Sequence, residues 1–545
     1  MQTIKYLKKN KLGALAIIMV VIGLLIYSKR KPREYFHFKG ELWADQAGYY
    51  MYLPGAFIYD FDGSEMPDTL LKSIGHGFHV DTTSGKMITK YAVGVAMLQA
   101  PFFGLVHLHT KITGGRIDGF SGNYHNVPNC AAWFYASIGL WLFYLFLIER
   151  VQRKIAWVII SVIFFGTSTY YYGVDNTGMS HIYSFFLFSA FIYVFNRVCR
   201  NGLNWINLVA VGAICGLIVA VRPINLLFIP MAVFYLLFLY KRDWHWAKRQ
   251  LSISKVMVGI TMAVLMLAPQ FLYWKYTSGS AIHYSYGNEG FSNWKSPMLI
   301  EFWFAPLAGL FLYSPAYLLA IVAIFRKIKQ RENQVLIIGF LGFCYLMASW
   351  HVYFFGCSFG SRNLVEFSVL FFIPLALWLN ELKRVKLMRG LLITSMMFTL
   401  SLAHSFGGCY TFGVWNWKEF VGMATRGVHY QSISNKEVLP NQMFLGVNSD
   451  AHRFFTISNY HAADVCLKVE GYGPKTELAF EVYKDSVLAF ASFNVAKEME
   501  RDGGNEANYT FLLPKDYPKD ASIKAYLFNV GQDTLKLEKL SIWLR

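Results

Sequence analysis

Long uninterrupted apolar runs recur along most of this chain, and they decide which solvent the folded protein meets. The runs are 15 to 24 residues long, and the mean hydropathy of the chain is +0.34. A helix of about 20 apolar residues spans the hydrocarbon core of a bilayer. The pattern predicts a polytopic α-helical membrane protein. Twelve runs lie near residues 12–28, 92–110, 130–148, 156–172, 182–196, 205–221, 223–240, 255–274, 302–325, 335–350, 364–380 and 390–407.

The formal net charge of +18 has two interpretations. In a soluble protein it would point to nucleic acid. Here the Lys and Arg residues form short clusters between apolar runs, which is the pattern that orients membrane helices. We therefore expect no nucleic-acid partner.

The loop charges predict the orientation of the chain. The first apolar run has four basic residues on each side and cannot orient it, but every second later loop is basic, with 17 Lys and Arg against four in the alternate loops. The positive-inside rule places the basic loops in the cytoplasm. The N-terminus is then also cytoplasmic if one of the early apolar runs does not cross the membrane. Residues 91–109 contain Gln99 and Pro101 and are typical of a helix lying in the interface. Eleven spans remain.

This topology predicts a transmembrane domain over residues 1–407 and an external domain over 408–545. The first external loop covers 29–129, with interfacial helices near 46–59 and 91–109. Beyond 407 the hydropathy falls, and alternating stretches such as KTELAFEVY, separated by turn sequences, predict an extracytoplasmic β-sandwich. The first run ends in SKRKPR without a cleavage site, as expected of an anchor. Seven scattered Cys predict neither a zinc site nor a disulfide framework.

Charged groups are scarce inside the predicted spans, where a transporter would need them. From about 130 to 350 the span interiors hold no Asp, Glu, Lys or Arg. Such a layout suits a substrate that lies half in lipid and half in water, for instance a lipid-linked phosphate. The charged and histidine residues gather at the external ends: Asp45, Lys90, Asp175, His181, Arg222, Glu289, Arg362 and Glu366.

Asp45 precedes a tyrosine-rich stretch, QAGYYMYLPGAFIYD, that is too short to span a membrane. At helical spacing one face of it would be apolar, so a short amphipathic helix would hold Asp45 at the membrane surface. A carboxylate there is a candidate general base. The alternative is an N-terminal cap of that helix. Asp60 and Asp62 in YDFDG are interpreted as turn residues. The predicted apolar face consists of Tyr49, Tyr52, Leu53, Ala56 and Phe57.

The other candidates also have two interpretations. Arg222 and Arg362 lie at headgroup depth, where they would bind a substrate phosphate or extend to lipid phosphates. His181 lies at the start of a predicted span. It would either contact the substrate or contact water at the start of the helix. The aromatic external loop around Tyr284 and Glu289 would stack on a sugar or anchor the chain in the interface.

Asp45 with GYYMYLPGAFIYD, and ITKYAVGVAMLQAPFFGLVH, look like the first external loop of protein mannosyltransferases and aminoarabinose transferases. The chain thus resembles the GT-C glycosyltransferases, the membrane enzymes that use polyprenyl-phosphate sugars. Further segments resemble uncharacterised Bacteroidetes-type bacterial members: DNTGMSHIYSFF, VRPINLL, HYSYGNEGF, APLAGLFLYSPAYLL and SWHVYFFGCSFGSRNLVEF. Together the resemblance covers most of residues 40–380.

The resemblance implies a GT-C-like fold in a bacterial inner membrane, with the C-terminal domain periplasmic. It implies that Asp45 is the general base, that Lys90 approaches the donor phosphate, and that Asp175 is a second acidic site residue. A sugar would move by direct displacement, with inversion, from a polyprenyl-phosphate donor to a hydroxyl of a glycan, lipid or protein acceptor. No metal ligands are assigned, and a requirement for a divalent metal stays open.

Two other classes of protein fit the same sequence. A lipid-linked saccharide transporter, or flippase, would also bind lipid phosphate sugars, although its spans would normally hold charged residues. A noncatalytic envelope assembly protein would use the C-terminal domain to bind a partner.

Overall fold

The computed structural model describes two compact units. Side chains are described for most of residues 11–30, 41–67, 70–71, 75–287, 289–383, 386–406 and 416–426, and the backbone also for residues 2–10 and for the strands after residue 430. The first unit contains the described residues of 1–32, 41–65 and 76–427, and the second those of 66–75 and 428–545. All the candidate site residues lie in the first unit.

Helices make up nearly all of the first unit. They are Gln2–Lys29, Asp45–Tyr50, Tyr52–Phe57, Gly94–Ile112, Asn126–Leu147, Arg153–Gly166, Ser180–Asn201, Trp205–Val221, Phe228–Leu239, Trp244–Gln250, Ile253–Ser278, Leu299–Phe304, Leu310–Tyr313, Ala316–Arg326, Arg331–Ala348, Ser368–Phe371, Ile373–Glu381, Lys386–Ser405 and Trp417–Arg426. Single turns of 3₁₀-helix at Gly63–Glu65, Gly122–His125, Pro223–Leu227 and Arg362–Leu364, and a π-turn at Tyr171–Asp175, connect them.

By length and composition, five of the described helical segments could cross a membrane, so the protein is membrane-embedded. A bent pair, Pro223–Leu239 with Trp244–Gln250 at 113°, would make a sixth. Other apolar runs form shorter helices, among them Trp205–Val221 and Ala316–Arg326, so the count of eleven spans stays a prediction. The five are Lys11–Lys29, Gly122–Leu147, Ser180–Asn201, Ile253–Ser278 and Lys386–Ser405.

The helix Gly94–Ile112 corresponds to the segment expected to lie in the interface. It is 19 residues long and includes Pro101, and it is not among the five. Its outer face is apolar and exposed at Leu105, Leu108 and Ile112.

Small residues bring two long helices of the first unit close together. Both contacts are with the backbone of the helix Ile253–Ser278. A Cβ on Gly212 would lie 2.6 Å from the carbonyl oxygen of Gly259, and a Cβ on Gly216 would lie 2.5 Å from that of Ala263. This small-residue spacing of four is the pattern that lets helices pack closely in lipid. The contact fixes the helix Trp205–Val221, whose C-terminal end carries Arg222.

The sequence Arg222-Pro223 ends that helix. A residue before proline is disfavoured in the α conformation, and Arg222 accordingly adopts an extended backbone with φ −154° and ψ 117°. The chain then restarts as a 3₁₀ turn with Pro223 at its first position. The turn leaves the Arg222 side chain at a break between helices rather than on a continuous helix surface.

The segment that carries Asp45 is helical near the predicted residues 46–59, as two short helices, Asp45–Tyr50 and Tyr52–Phe57. Of its predicted apolar face, Tyr49, Tyr52 and Leu53 are buried, whereas Ala56 and Phe57 are exposed.

Two glycines allow other segments to pack tightly around the first turn of this segment. A Cβ on Gly77, beside the antiparallel hairpin of β1 (Phe78–Val80) and β2 (Met87–Thr89), would lie 1.9 Å from the carbonyl oxygen of Ala44. A Cβ on Gly48 would lie 2.2 Å from the ring of Tyr91.

The described strands of the second unit form two antiparallel sheets. They are β3 (Gln431–Ser432), β4 (Met443–Leu445), β5 (His452–Ile457), β6 (Asp464–Tyr472), β7 (Thr476–Lys484), β8 (Ser486–Asn494), β9 (Glu506–Leu512), β10 (Ser522–Asn529) and β11 (Leu535–Leu544). One sheet has the order β5-β10-β7-β8, and the other has the order β3-β11-β6-β9 with β4 also paired to β11. The predicted β-strand content is present, and the sandwich arrangement stays a prediction.

We expect Gly77→Ala to lower the free energy of unfolding by about 1 to 3 kcal/mol, because the new methyl would overlap the Ala44 carbonyl. Thermal unfolding in detergent measures this. The matched control is Gly104→Ala in the helix Gly94–Ile112, where a Cβ has nothing within 4 Å and alanine favours the helix. Equal midpoints for the two variants would contradict the tight packing of the Asp45 segment.

Candidate functional site

Asp45 is the first residue of its helix, and its carboxylate is bound by two side chains from distant segments. The Tyr91 hydroxyl donates to Oδ1 at 2.5 Å, and Nη2 of Arg362 donates to Oδ2 at 3.2 Å. The N-cap position belongs to Ala44, and no side chain caps the helix. The cap hypothesis for Asp45 is therefore wrong. The Asp45 side chain is 34% exposed, so one side of the carboxylate remains accessible.

Backbone strain precedes Asp45. Ala44 has φ 50° and ψ −126°, in a region that residues with a Cβ rarely occupy. Such a conformation costs about 1 to 3 kcal/mol and persists only where the surroundings enforce it. The close packing of Gly77 on the Ala44 carbonyl supplies that constraint, so the first turn of the helix is held in one position.

Tyr91 is placed by the residues that lead into the helix Gly94–Ile112. Thr89 Oγ1 donates to the carbonyl of Gly48 at 3.2 Å, and the Val93 amide donates to Gln270 Oε1 at 2.7 Å. The Tyr91 ring lies 4.6 Å from that of Tyr49. Burial, and then the Asp45 carboxylate, raise the pKa of the Tyr91 phenol well above its ordinary value. Tyr91 therefore stays neutral, and its hydroxyl donates a hydrogen bond to Asp45.

Arg362 begins a 3₁₀ turn directly after a tight loop. Gly360 has φ +64°, and a Cβ there would lie 2.8 Å from both Ser168 Oγ and the Tyr313 side chain, so glycine is required. The Arg362 side chain is only 15% exposed, and its Nε is buried without a hydrogen-bond partner. An unsatisfied buried donor beside a carboxylate leaves capacity for an added oxygen ligand.

A second arginine joins the same turn. Arg222 donates from Nη2 to Asn363 Oδ1 at 2.5 Å and from Nη1 to Glu366 Oε1 at 3.1 Å. His181 Nδ1 lies 3.1 Å from Glu366 Oε2 and 3.3 Å from Arg222 Nη1. Glu366 and His181 are buried almost completely. Residues 362–366 therefore contact Asp45 through Arg362 and bind Arg222 through Asn363 and Glu366.

The charge state of Glu366 follows from this burial. Burial raises the pKa of the Glu366 carboxyl to about 7, against the opposing effect of the Arg222 guanidinium. Below about pH 7 the carboxyl is mostly protonated, and it can then donate to His181 Nδ1 and accept from Arg222. In that state the positive charges of Arg222 and Arg362 face a single carboxylate, Asp45.

Lys90 lies on the other side of Tyr91. Its ammonium is 2.5 Å from Glu289 Oε1 and lies 5.7 Å from the ring centre of Tyr91 and 5.6 Å from that of Tyr286. The Tyr284 hydroxyl donates to the Glu289 carbonyl at 2.5 Å, and the Tyr284 ring is 61% exposed. The predicted aromatic loop thus contacts Lys90, the residue before Tyr91.

Asp175 is held separately from these contacts. Its carboxylate pairs with Lys29 at 3.2 Å, at the end of the first helix. Among the contacts of the described residues, none joins Asp175 to Asp45, Arg362 or Arg222. The structure therefore does not bring the second predicted acidic residue into the same cluster.

Seven of the sequence-predicted residues belong to one connected group, which we call the Asp45 cluster. The turn 362–366 links Asp45, Arg362, Arg222 and His181. Tyr91 links these to Lys90, Glu289 and Tyr284. Three contributors were not assigned a role from the sequence: Tyr91, Asn363 and Glu366. Signals for them exist, because Tyr91 follows Lys90 directly, and Asn363 and Glu366 are one and four residues after Arg362.

Two further observations concern ligands and covalent links. No group of three or more His, Cys, Asp and Glu side chains within the described part of the chain could hold a metal ion. Cys357, in the loop before Arg362, is disulfide-bonded, which the scattered cysteines did not predict.

No protein-family model matches the chain, and no curated protein is similar to it in sequence at a significant level. The function is therefore inferred from the geometry of the Asp45 cluster and from the motif resemblance described above.

We expect the stability of the parent protein relative to Glu366→Gln to fall as pH rises from about 4.5 to about 7. In that window the folded protein keeps the Glu366 proton and the unfolded chain releases it, so the folded state binds more protons and loses stability with rising pH. The full effect is about 3 kcal/mol. The neutral amide cannot titrate and mimics the protonated carboxyl.

Thermal midpoints of parent and variant, measured across this pH range, give the difference directly, and groups common to both cancel. Two parallel curves would show that Glu366 titrates alike in the folded and the unfolded protein, and they would contradict the charge balance given for the cluster.

Proposed function

We propose that this protein is a membrane glycosyltransferase that moves a sugar from a polyprenyl-phosphate donor to an acceptor hydroxyl. The observation that carries the proposal is the contact between Asp45 and Arg362, which places a partly exposed carboxylate 3.2 Å from a buried guanidinium. Transfer from a lipid phosphate needs both groups, because a base must take the acceptor proton and a cation must stabilise the phosphate leaving group.

The donor phosphate would bind between the two arginines. Arg362 has an unsatisfied Nε, and Arg222 donates to Asn363, the next residue of the turn that begins with Arg362. Planar guanidinium groups suit phosphate oxygens because they donate two parallel hydrogen bonds. Lys90 adds a third cation beside Tyr91 and Tyr286, and the exposed Tyr284 ring next to it is available for stacking on a sugar.

The reaction then follows from these positions. The acceptor hydroxyl would donate to the free side of the Asp45 carboxylate, and its oxygen would attack the anomeric carbon. The bond from that carbon to the phosphate oxygen breaks, the electron pair leaves with the phosphate, and Asp45 takes the acceptor proton. Direct displacement inverts the anomeric configuration. Tyr91, which donates to Oδ1, would hold the carboxylate in place during this step.

Phosphate binding would also change the state of Asp45. Arg362 pairs with Asp45 in the present structure, so a phosphate that takes over donors of Arg362 weakens this ion pair. The carboxylate is then free to accept from the acceptor hydroxyl. This sequence of events favours donor binding before acceptor binding.

We further propose that the site faces the external side of a bacterial inner membrane. The 17 to 4 cation bias of the loops supports this orientation. The disulfide of Cys357 is consistent with it, because disulfides persist in oxidising compartments outside the cytoplasm. The strands after residue 430 would then form an external β-sandwich, and the helices of the first unit a GT-C-like arrangement with eleven spans.

Asp45→Asn should lower transfer by about two to four orders of magnitude, the range for loss of a general base. Asparagine keeps the size of the side chain and one oxygen acceptor, so insertion, folding and donor binding should persist. Asp62→Asn in the same loop is the control, because the Asp62 carboxylate only accepts from Ser64 in an exposed turn. Transfer from a labelled polyprenyl-phosphate sugar by purified protein is the assay.

Near-parental transfer by Asp45→Asn would refute its role as base and make Asp175→Asn the next variant to assay. Donor binding without any transfer by the parent protein, across a panel of acceptors, would instead favour the lipid-linked saccharide transporter.

Arg362→Ala should weaken donor binding roughly 10- to 100-fold, because charge-assisted hydrogen bonds to phosphate are lost. Arg362→Lys should recover little, since an ammonium cannot reproduce two parallel donors. Arg116→Ala is the control: Arg116 pairs with Asp118 in the first loop and is about half exposed. Donor affinity is measured by titration of the lipid phosphate sugar. Parental affinity in Arg362→Ala would remove Arg362 from the phosphate site.

A further inference from the structure

A second polar cluster lies where three long helices end. Glu149 and Arg150 follow the helix Asn126–Leu147, Arg200 is on the last turn of Ser180–Asn201, and Tyr240 follows Phe228–Leu239. An open recess of about 670 Å³ is lined by Glu149, Arg150, Arg200, Leu239, Tyr240 and Leu377.

Arg150 is the fixed part of this recess. Its side chain is 11% exposed. Nη1 donates to the Phe146 carbonyl at 2.9 Å, and Nη2 donates to Asn196 Oδ1 and to the Tyr240 hydroxyl. The guanidinium also lies 3.8 Å from the centre of the Phe146 ring. All of these partners are neutral, so they orient the arginine without cancelling its charge.

The Glu149 carboxylate forms ion pairs with both arginines of the recess, Arg150 and Arg200. Glu149 Oε2 is 2.8 Å from Arg200 Nη1 and 3.7 Å from Arg150 Nη1, and it also accepts from Asn196 Nδ2 at 3.0 Å. The lining residues therefore carry one positive charge in excess. A largely buried cation without its own counter-charge is unfavourable unless an anion approaches from the open side.

The position of the recess relative to the membrane indicates which kind of anion it would bind. From His181 to Arg200 the helix rises about 29 Å at 1.5 Å per residue, which matches the hydrocarbon core of about 30 Å. The recess and the Asp45 cluster, which contains His181, therefore lie at opposite membrane interfaces. At such a depth the arginines meet headgroups, and the apolar walls, Leu239 and Leu377, meet the first methylenes of a lipid chain.

We propose that this recess is a binding site for the phosphate group of an anionic membrane lipid. Arg200, whose side chain is half exposed, donates to the phosphate, while the buried Arg150 supplies the fixed positive charge behind it. The recess is separate from the Asp45 cluster and does not depend on the proposed transfer reaction.

The test compares Arg200→Gln with Arg197→Gln in purified protein in detergent. Both variants remove one exposed arginine from the same helix, but Arg197 does not line the recess and lies against Tyr193 instead. Each protein is titrated with dioctanoyl phosphatidylglycerol, with dioctanoyl phosphatidylcholine and with inorganic phosphate, and saturable binding is followed by the thermal midpoint and by a binding isotherm.

We expect phosphatidylglycerol to bind the parent and Arg197→Gln alike, and to bind Arg200→Gln about tenfold or more weakly, because a charge-assisted hydrogen bond is lost. Phosphatidylcholine, whose headgroup has no net charge, should bind more weakly than phosphatidylglycerol. Leu377→Trp, which fills the recess without changing charge, should also reduce binding, and it decides the matter if Arg200→Gln does not fold.

Three results would overturn the proposal. Equal affinity of the parent, Arg200→Gln and Leu377→Trp would place the lipid elsewhere, the Asp45 cluster included. Equal losses in Arg200→Gln and Arg197→Gln would show attraction to surface charge in general. Inorganic phosphate that binds as tightly as the lipid, with the same dependence on Arg200, would identify a dissolved anion as the ligand.

Discussion

The ion pair between Asp45 and Arg362 connects residues 317 positions apart and joins two polar segments of the first unit. Asp45 comes from a strained helix start that Gly77 holds in place. Arg362 comes from a turn that also binds Arg222. Because Arg222 ends one helix and His181 begins another, a single turn fixes the ends of several helices around one carboxylate.

Irregular backbone surrounds the residues of the Asp45 cluster. The strained Ala44 precedes Asp45, and the helix before Arg222 ends at Val221. The π-turn Tyr171–Asp175 lies before His181, and the positive φ of Gly360 lies in the loop before Arg362. A continuous helix presents side chains only along its surface. Interruptions let polar groups converge, and their backbone strain is maintained by the packed helices around them.

The sequence predicted the helical membrane character and most of the polar residues of the cluster, because apolar runs and the charges at their ends are local patterns. It did not predict how those residues pair. The N-cap hypothesis for Asp45 was wrong because a helix cap is a local device, whereas the actual partners, Tyr91 and Arg362, are brought in by tertiary packing. The same holds for Glu366, whose pairing with Arg222 and His181 depends on two helix ends meeting at one turn.

If Asp45 and Arg362 act as we propose, the transfer is a direct displacement on a lipid phosphate sugar. The most direct measurement is the anomeric configuration of the first product that purified, reconstituted protein forms from a stereochemically defined polyprenyl-phosphate sugar, read from proton coupling constants by NMR. Direct displacement gives a glycoside of inverted configuration. A product of retained configuration would require a covalent intermediate or another reaction, and it would contradict the roles assigned to these two residues.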